Sequence, residues 1–128
     1  MIIESDESSG EDNEKEVEII KSYMEKARPF QNSGLTLRDL AQQLRIPPKQ
    51  LSQIINKQLD QNFIDFVNSY RLGMAKERLL KPRDDKETIL EVMYEVGFNS
   101  KSSFNTLFKA KTGKTPTEFK KSGTKFYL

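Results

Sequence analysis

Two short runs combine lysine with small amides and hydroxyls at helical spacing. One holds Lys49, Gln50, Ser52, Gln53, Asn56 and Lys57, and the other Lys101, Ser102, Ser103, Asn105, Thr106 and Lys109. Such side chains can hydrogen-bond to the edges of bases, and lysine pairs with phosphate. They suit recognition better than covalent chemistry. The chain has no His and no Cys, so the commonest general base, the commonest metal ligand and any thiolate nucleophile are missing. Ser52 and Ser102 therefore lack the imidazole that activates a serine. Asp84, Asp85 and Glu87 carry charge that could meet a hard cation, but no EF-hand spacing surrounds them, and a solvated loop is the expectation. Gly113-Lys114-Thr115 matches only the end of a phosphate-binding loop, without the upstream glycine and strand. The sequence is thus expected to be no enzyme and to carry no cofactor.

Charge is unevenly spread. Residues 1–30 hold 9 acids and 4 bases, whereas residues 31–128 hold 17 bases and 10 acids, so the net +2 conceals a basic body behind an acidic leader. A basic body draws a polyanionic partner by steering and counterion release. No apolar run approaches the ~18–20 residues of a membrane span, and Met1-Ile2-Ile3-Glu4-Ser5-Asp6 lacks the regions of a signal peptide. The chain is read as soluble and cytoplasmic, making no membrane contact itself.

The elements that must position the polar runs follow from apolar spacing. Residues 1–13, rich in Glu, Asp and Ser, are expected to be disordered and to add nothing to the fold. Helical spacing begins near Glu14 with Val17, Ile20, Met24 and Ala27, and Pro29 ends it. Leu37, Leu40, Ala41 and Leu44 form one helical face, with Thr36 a credible N-cap and Asp39 in the first turn. After the turn Arg45-Ile46-Pro47, a helix from Pro48 to Lys57 buries Leu51, Ile54 and Ile55. Asp60 or Asn62 caps the longest helix, roughly Phe63 to Lys81, whose two apolar stripes (Phe63-Phe66-Val67-Tyr70-Met74 and Leu72-Ala75-Leu79) mark a helix shared between two lobes. A charged loop, Pro82 to Lys86, leads to a short helix with Ile89, Val92, Met93 and Val96 inward, capped by Thr88 or the preceding acid. Gly97-Phe98 turns into a helix from about Ser100 to Lys111 that buries Phe104, Leu107 and Phe108. Gly113 closes it, and Pro116 starts a last helix to Lys121. No strand-like alternation persists, so the fold class is all-α: a first lobe over residues 14–62, a linker helix over 63–81 and a second lobe over 82–128.

The two lobes repeat a plan. Leu40-Ala41, Leu44, Ile46 and Leu51 correspond to Val92-Met93, Val96, Phe98 and Phe104, with the second turn one residue longer. A positioning helix, a turn and a second helix make a helix-turn-helix, whose second helix enters a major groove.

From Leu35 to Lys121 the chain resembles the DNA-binding domain of the AraC/XylS family of bacterial transcription regulators. The resemblance rests chiefly on Gly97-Phe98, Ser100, Phe104, Phe108-Lys109, Gly113, Thr115-Pro116 and Phe119. Leu51-Ser52-Gln53-Ile54-Ile55-Asn56, Asn62-Phe63-Ile64-Asp65-Phe66-Val67-Asn68 with Tyr70-Arg71, and Phe98-Asn99-Ser100-Lys101-Ser102-Ser103-Phe104-Asn105 are similar to the variant joined to sensors in Bacteroidetes-type bacteria. The resemblance implies two homeodomain-like helix-turn-helix lobes on double-stranded DNA, with recognition helices in adjacent major-groove segments. It implies base contacts by Lys49, Ser52 and Gln53 and by Lys101, Ser102, Asn105 and Thr106. Phosphate contacts fall on Gln50, Asn56, Lys57, Ser103 and Lys109. It also implies a sensor domain outside this chain, a parent protein anchored in a membrane in that variant, and RNA polymerase as a further candidate partner. The alternative is a helical protein-interaction module that kept the fold and lost DNA. Arg45 stands where the family's first turn often has Gly, so a reshaped or strained corner is expected there. Pro47-Pro48 removes two backbone donors at the start of the first recognition helix.

Overall fold

A computed structural model describes residues 9–126, with side chains from Glu14 to Gly123. Among these residues there are seven α-helices and no strand: α1 (Ser9–Ala27), α2 (Leu37–Leu44), α3 (Pro48–Gln58), α4 (Phe63–Leu80), α5 (Ile89–Val96), α6 (Lys101–Thr112) and α7 (Pro116–Phe126), with a 3-10 turn at Pro29–Gln31. The all-α expectation holds. The first helix begins at Ser9 and not near Glu14. The rest of the acidic leader, residues 1–8, lies outside the described residues.

Side chains set the helix starts. Thr36 Oγ1 accepts from the Asp39 N–H at 3.0 Å, and Asp39 Oδ2 accepts from the Thr36 N–H at 3.1 Å. Thr88 with Glu91 and Thr115 with Glu118 repeat this reciprocal pair at α5 and α7. Each satisfies donors the helix cannot, at about 1 kcal/mol per cap. Of the two candidates at α4, Asn62 does the capping, its Oδ1 accepting from the Asp65 N–H at 2.7 Å. Asp60 instead takes a left-handed conformation at φ 52°.

The described chain divides into two units. One contains residues up to 29 and 34–67, the other residues 30–33 and those from 68 onward. α4 therefore gives its first residues to one unit and the remainder to the other. In the first unit α1 and α2 pack on α3, and Ile20, Met24, Leu40, Leu51, Ile55, Phe66 and Val67 are buried. In the second, Leu72, Ala75 and Leu79 of α4 meet Val92, Met93 and Val96 of α5 and the rings of Phe98, Phe104 and Phe108. Ring centroids lie 5.1 Å apart for Phe98–Phe104, 5.6 Å for Phe104–Phe108 and 5.2 Å for Phe108–Phe119. The tilted and edge-on geometries are those that aromatic quadrupoles favour. These phenylalanines are core residues, not platforms for bases.

Glu87 corrects the expectation of a solvated loop. It is 8% exposed and pairs with Arg78 of α4; Arg78 also reaches Glu95 of α5 at 2.9 Å, and Arg83 joins both carboxylates. Hydrogen bonds from Arg78 hold the Glu87 and Glu95 carboxyls below the ordinary carboxylate value. The cluster fastens the loop and α5 to α4, which fixes the positioning helix of the second lobe.

Candidate nucleic-acid interface

The two turns that launch α3 and α6 share one hydrogen-bond pattern. In the first, the Ile46 N–H donates to Ala41 O at 3.0 Å and the Arg45 N–H to Gln42 O at 3.2 Å. In the second, the Phe98 N–H donates to Met93 O at 3.0 Å and the Gly97 N–H to Tyr94 O at 3.2 Å. Both are the left-handed closure that satisfies the last carbonyls of a helix. Arg45 has φ 59° and ψ 41° and Gly97 has φ 114° and ψ 1°. The expectation of a reshaped or strained corner at Arg45 meets both: the hydrogen bonds match those of the other turn, but the arginine holds a left-handed conformation 55° in φ and 40° in ψ from that of Gly97.

Gly97 is constrained twice. Besides its positive φ, a Cβ there would lie 2.2 Å from Phe30 O and 2.7 Å from Arg71 Nε. Arg71 explains the closeness. The residue is 8% exposed, and its guanidinium donates to Phe30 O at 2.7 Å, Asn32 O at 3.0 Å and Asn68 Oδ1 at 3.0 Å, while lying 5.9 Å from the Phe98 ring centre. Burial lowers its pKa, and the carbonyl oxygens and ring face compensate the buried charge. The sequence showed Arg71 only as part of a family pattern; nothing local to it signals that it braces the 30–33 segment and the second turn.

α3 and α6 carry their polar residues outward. On α3, Leu51, Ile54 and Ile55 are buried, Lys49, Gln50, Gln53, Asn56 and Lys57 are exposed, and Ser52 is half-buried. On α6, Phe104 and Phe108 are buried, Lys101, Ser102, Ser103, Thr106 and Lys109 are exposed, and Asn105 is half-buried. Ser100 caps α6, accepting from the Ser103 N–H at 3.2 Å. Ser102, Ser103 and Thr106 line an open groove of about 520 Å³ floored by Arg71, Gly97 and Phe98. Each predicted contact set thus shares one helix face within its own unit.

Three details modify the expected roles. Gln50 is engaged: its Nε2 donates to Glu16 Oε2 of α1 at 2.6 Å. Asn56 Nδ2 makes a long contact of 3.5 Å with Ser52 Oγ. Lys109 lies near Glu118, whose carboxyl is lowered first by Thr115 backbone and side-chain hydrogen bonds and then by Lys109 and Lys114. From Gly97 to Lys121 the only acid is Glu118 against six lysines, so this stretch is strongly cationic.

A family model described as a helix-turn-helix domain, of AraC type, matches residues 40–122. The chain belongs to the AraC family. Among its relatives are the transcriptional activator RhrA of Rhizobium meliloti, 28% identical over 90 residues, and the transcriptional regulator YijO of Escherichia coli, 33% identical over 104 residues. These alignments cover 70% and 81% of this chain but 28% and 35% of the relatives, so the chain spans well under half the length of either. The solved C-terminal domain of AraT, a response regulator from Geobacillus stearothermophilus, is 28% identical at TM-score 0.67, covering 81% of this chain and 84% of that one. An AraC-type regulator from Chromobacterium violaceum, 18% identical at TM-score 0.73 and covering 89% and 96%, shows the shared fold. This AraC-family chain is accordingly a DNA-binding module of transcription regulation and not an enzyme. Among its described residues no helix is long and apolar enough to cross a membrane.

Proposed function

We propose that this AraC-type module reads double-stranded DNA through both lobes, with α3 and α6 as recognition helices in adjacent major-groove segments. The observation carrying this reading is the matched pair of turns, each launching a helix whose apolar face is buried and whose other face presents Lys, Ser, Gln, Asn or Thr. Lys49, Ser52 and Gln53 and, on α6, Lys101, Ser102, Asn105 and Thr106 contact base edges. Lysine donates to guanine O6 and N7, and Asn or Gln pairs bidentately with adenine. Asn56, Lys57, Ser103 and Lys109 hold phosphate, and Gln50 joins them once freed from Glu16. Because the relatives are longer, a sensor in the rest of the parent protein controls the module in the cytoplasm, and RNA polymerase is its downstream partner.

Selecting bound fragments from random DNA and footprinting the winners tests this. Gln53→Ala and Asn105→Ala should each relax preference at one base pair, by about 1–3 kcal/mol, while non-specific binding persists. The two positions should lie about 10 base pairs apart. Protection of one groove segment alone would make the other lobe structural; no DNA binding at all would return the reading to a protein-interaction module.

A further inference from the structure

We propose that the groove beside α6 seats a backbone phosphate of DNA, with the buried Arg71 as the cation at its floor. This rests on the DNA-binding reading above. Every residue lining the groove belongs to the second unit, from Ser33 at one rim through Asn68 and Arg71 of α4 to Ser103 and Thr106 of α6. None of the lining residues is acidic.

Two observations meet in this groove. The first is a charge without a counter-ion. Arg71 is 8% exposed, yet its hydrogen bonds go to two backbone carbonyls and one amide oxygen, all of them neutral. Among the described residues no carboxylate pairs with it, whereas Arg78, further along α4, has both Glu87 and Glu95. Neutral dipoles solvate a buried cation and leave its net charge in place. The second observation is a set of unused donors. A guanidinium has five N–H groups, and the three bonds made here leave one on each terminal nitrogen without an acceptor. Asn68 meets Arg71 through Oδ1, which leaves its Nδ2 as a donor. Among the described residues the hydroxyls of Ser33, Ser103 and Thr106 also hold no hydrogen bond. A groove rich in donors, free of acids and floored by an unneutralised guanidinium suits a phosphate oxygen. α6 forms one wall, so a phosphate held at Arg71 fixes the register of that helix on the duplex.

The test uses Asn68→Asp, which keeps the oxygen that Arg71 binds and supplies the missing counter-ion. Its melting temperature should stay level or rise. Its binding to a long mixed-sequence duplex at low salt should fall about tenfold, and the log–log salt slope should shrink by about 1. Thr117→Asp, the same charge added at an exposed position of α7 outside the groove, should lower affinity less. A second measurement needs no variant: the side-chain N–H resonances of Arg71 should shift with duplex, and more than with inorganic phosphate at equal concentration. Equal losses from the two Asp variants overturn the proposal. So do resonances that answer inorganic phosphate and not duplex, which would make the groove a site for free anions. If Lys109→Ala weakens binding while Asn68→Asp only matches Thr117→Asp, the groove alone fails; if the unaltered chain binds no duplex, both readings do.

Discussion

Arg45 and Gly97 occupy the same place in two equivalent turns, each in the left-handed region and each donating its N–H three residues back. Only glycine does so without steric cost. For an L-residue the left-handed conformation costs about 1–2 kcal/mol, part of which glycine returns through its freer unfolded chain. Arg45→Gly should therefore stabilise the protein by about 0.5–1 kcal/mol, read as a higher urea midpoint with unchanged slope. Gly97→Ala should destabilise by at least about 3 kcal/mol, because strain adds to a clash with Phe30 O and Arg71. Equal small effects at both sites would show that the two turns are not equivalent.

Gly73 makes a contrasting case within α4. A Cβ there meets nothing within 4 Å, and no close approach requires the glycine. Gly73→Ala should raise stability by about 1 kcal/mol, the difference in helix propensity. A loss of stability on thermal melting would reveal a need for the glycine that packing does not show.

The Arg78 cluster predicts an acid response. Glu87 and Glu95 have pKa values below 4.5 in the folded chain, so their contribution is present above that value and lost as pH falls through the folded values. Unfolding free energy should decline as pH drops below about 4.5, and Glu87→Gln should flatten that decline. Arg78→Ala at neutral pH should cost about 3 kcal/mol, since Glu87 keeps only the exposed Arg83 as partner. A decline equally steep in Glu87→Gln would assign the acid response to other carboxylates.

The phosphate contact proposed for Lys109 predicts a salt effect. Log affinity should fall with log salt at roughly −0.9 per neutralised phosphate, and Lys109→Ala should reduce that slope by about 1 for every DNA sequence tested. Binding indifferent to salt would remove the phosphate role from this surface.

Residue patterns within one element carried most of the architecture. Thr36 with Asp39, Thr88 with Glu91, and Gly113 after the lysines of α6 are local signals, and each helix they bound lies within a few residues of its expected limits. The outward faces of α3 and α6 were legible because burial follows the 3.6-residue period. Partnerships across elements were not legible. Glu87 resembled its solvated neighbours Asp84 and Asp85, and only the position of Arg78 distinguishes it. Gln50 looked free until α1 brought Glu16 to it. The αL arginine at position 45 could be suspected from the repeat, but the hydrogen bonds its turn shares with that of Gly97 are revealed by no residue type.

The brace made by Arg71 also imposes an order in time. Phe30, whose carbonyl it binds, precedes it by 41 residues, about 2–8 s of ribosomal synthesis at typical rates. Residues 34–67 are all translated within that interval, while the carbonyls of Phe30 and Asn32 still await the guanidinium. The second unit thus closes around a piece of chain made before the first unit was finished. An excision of residues 68 onward would leave behind the segment that Arg71 holds, so this half of the molecule is not a cassette that recombination could move in one linear cut.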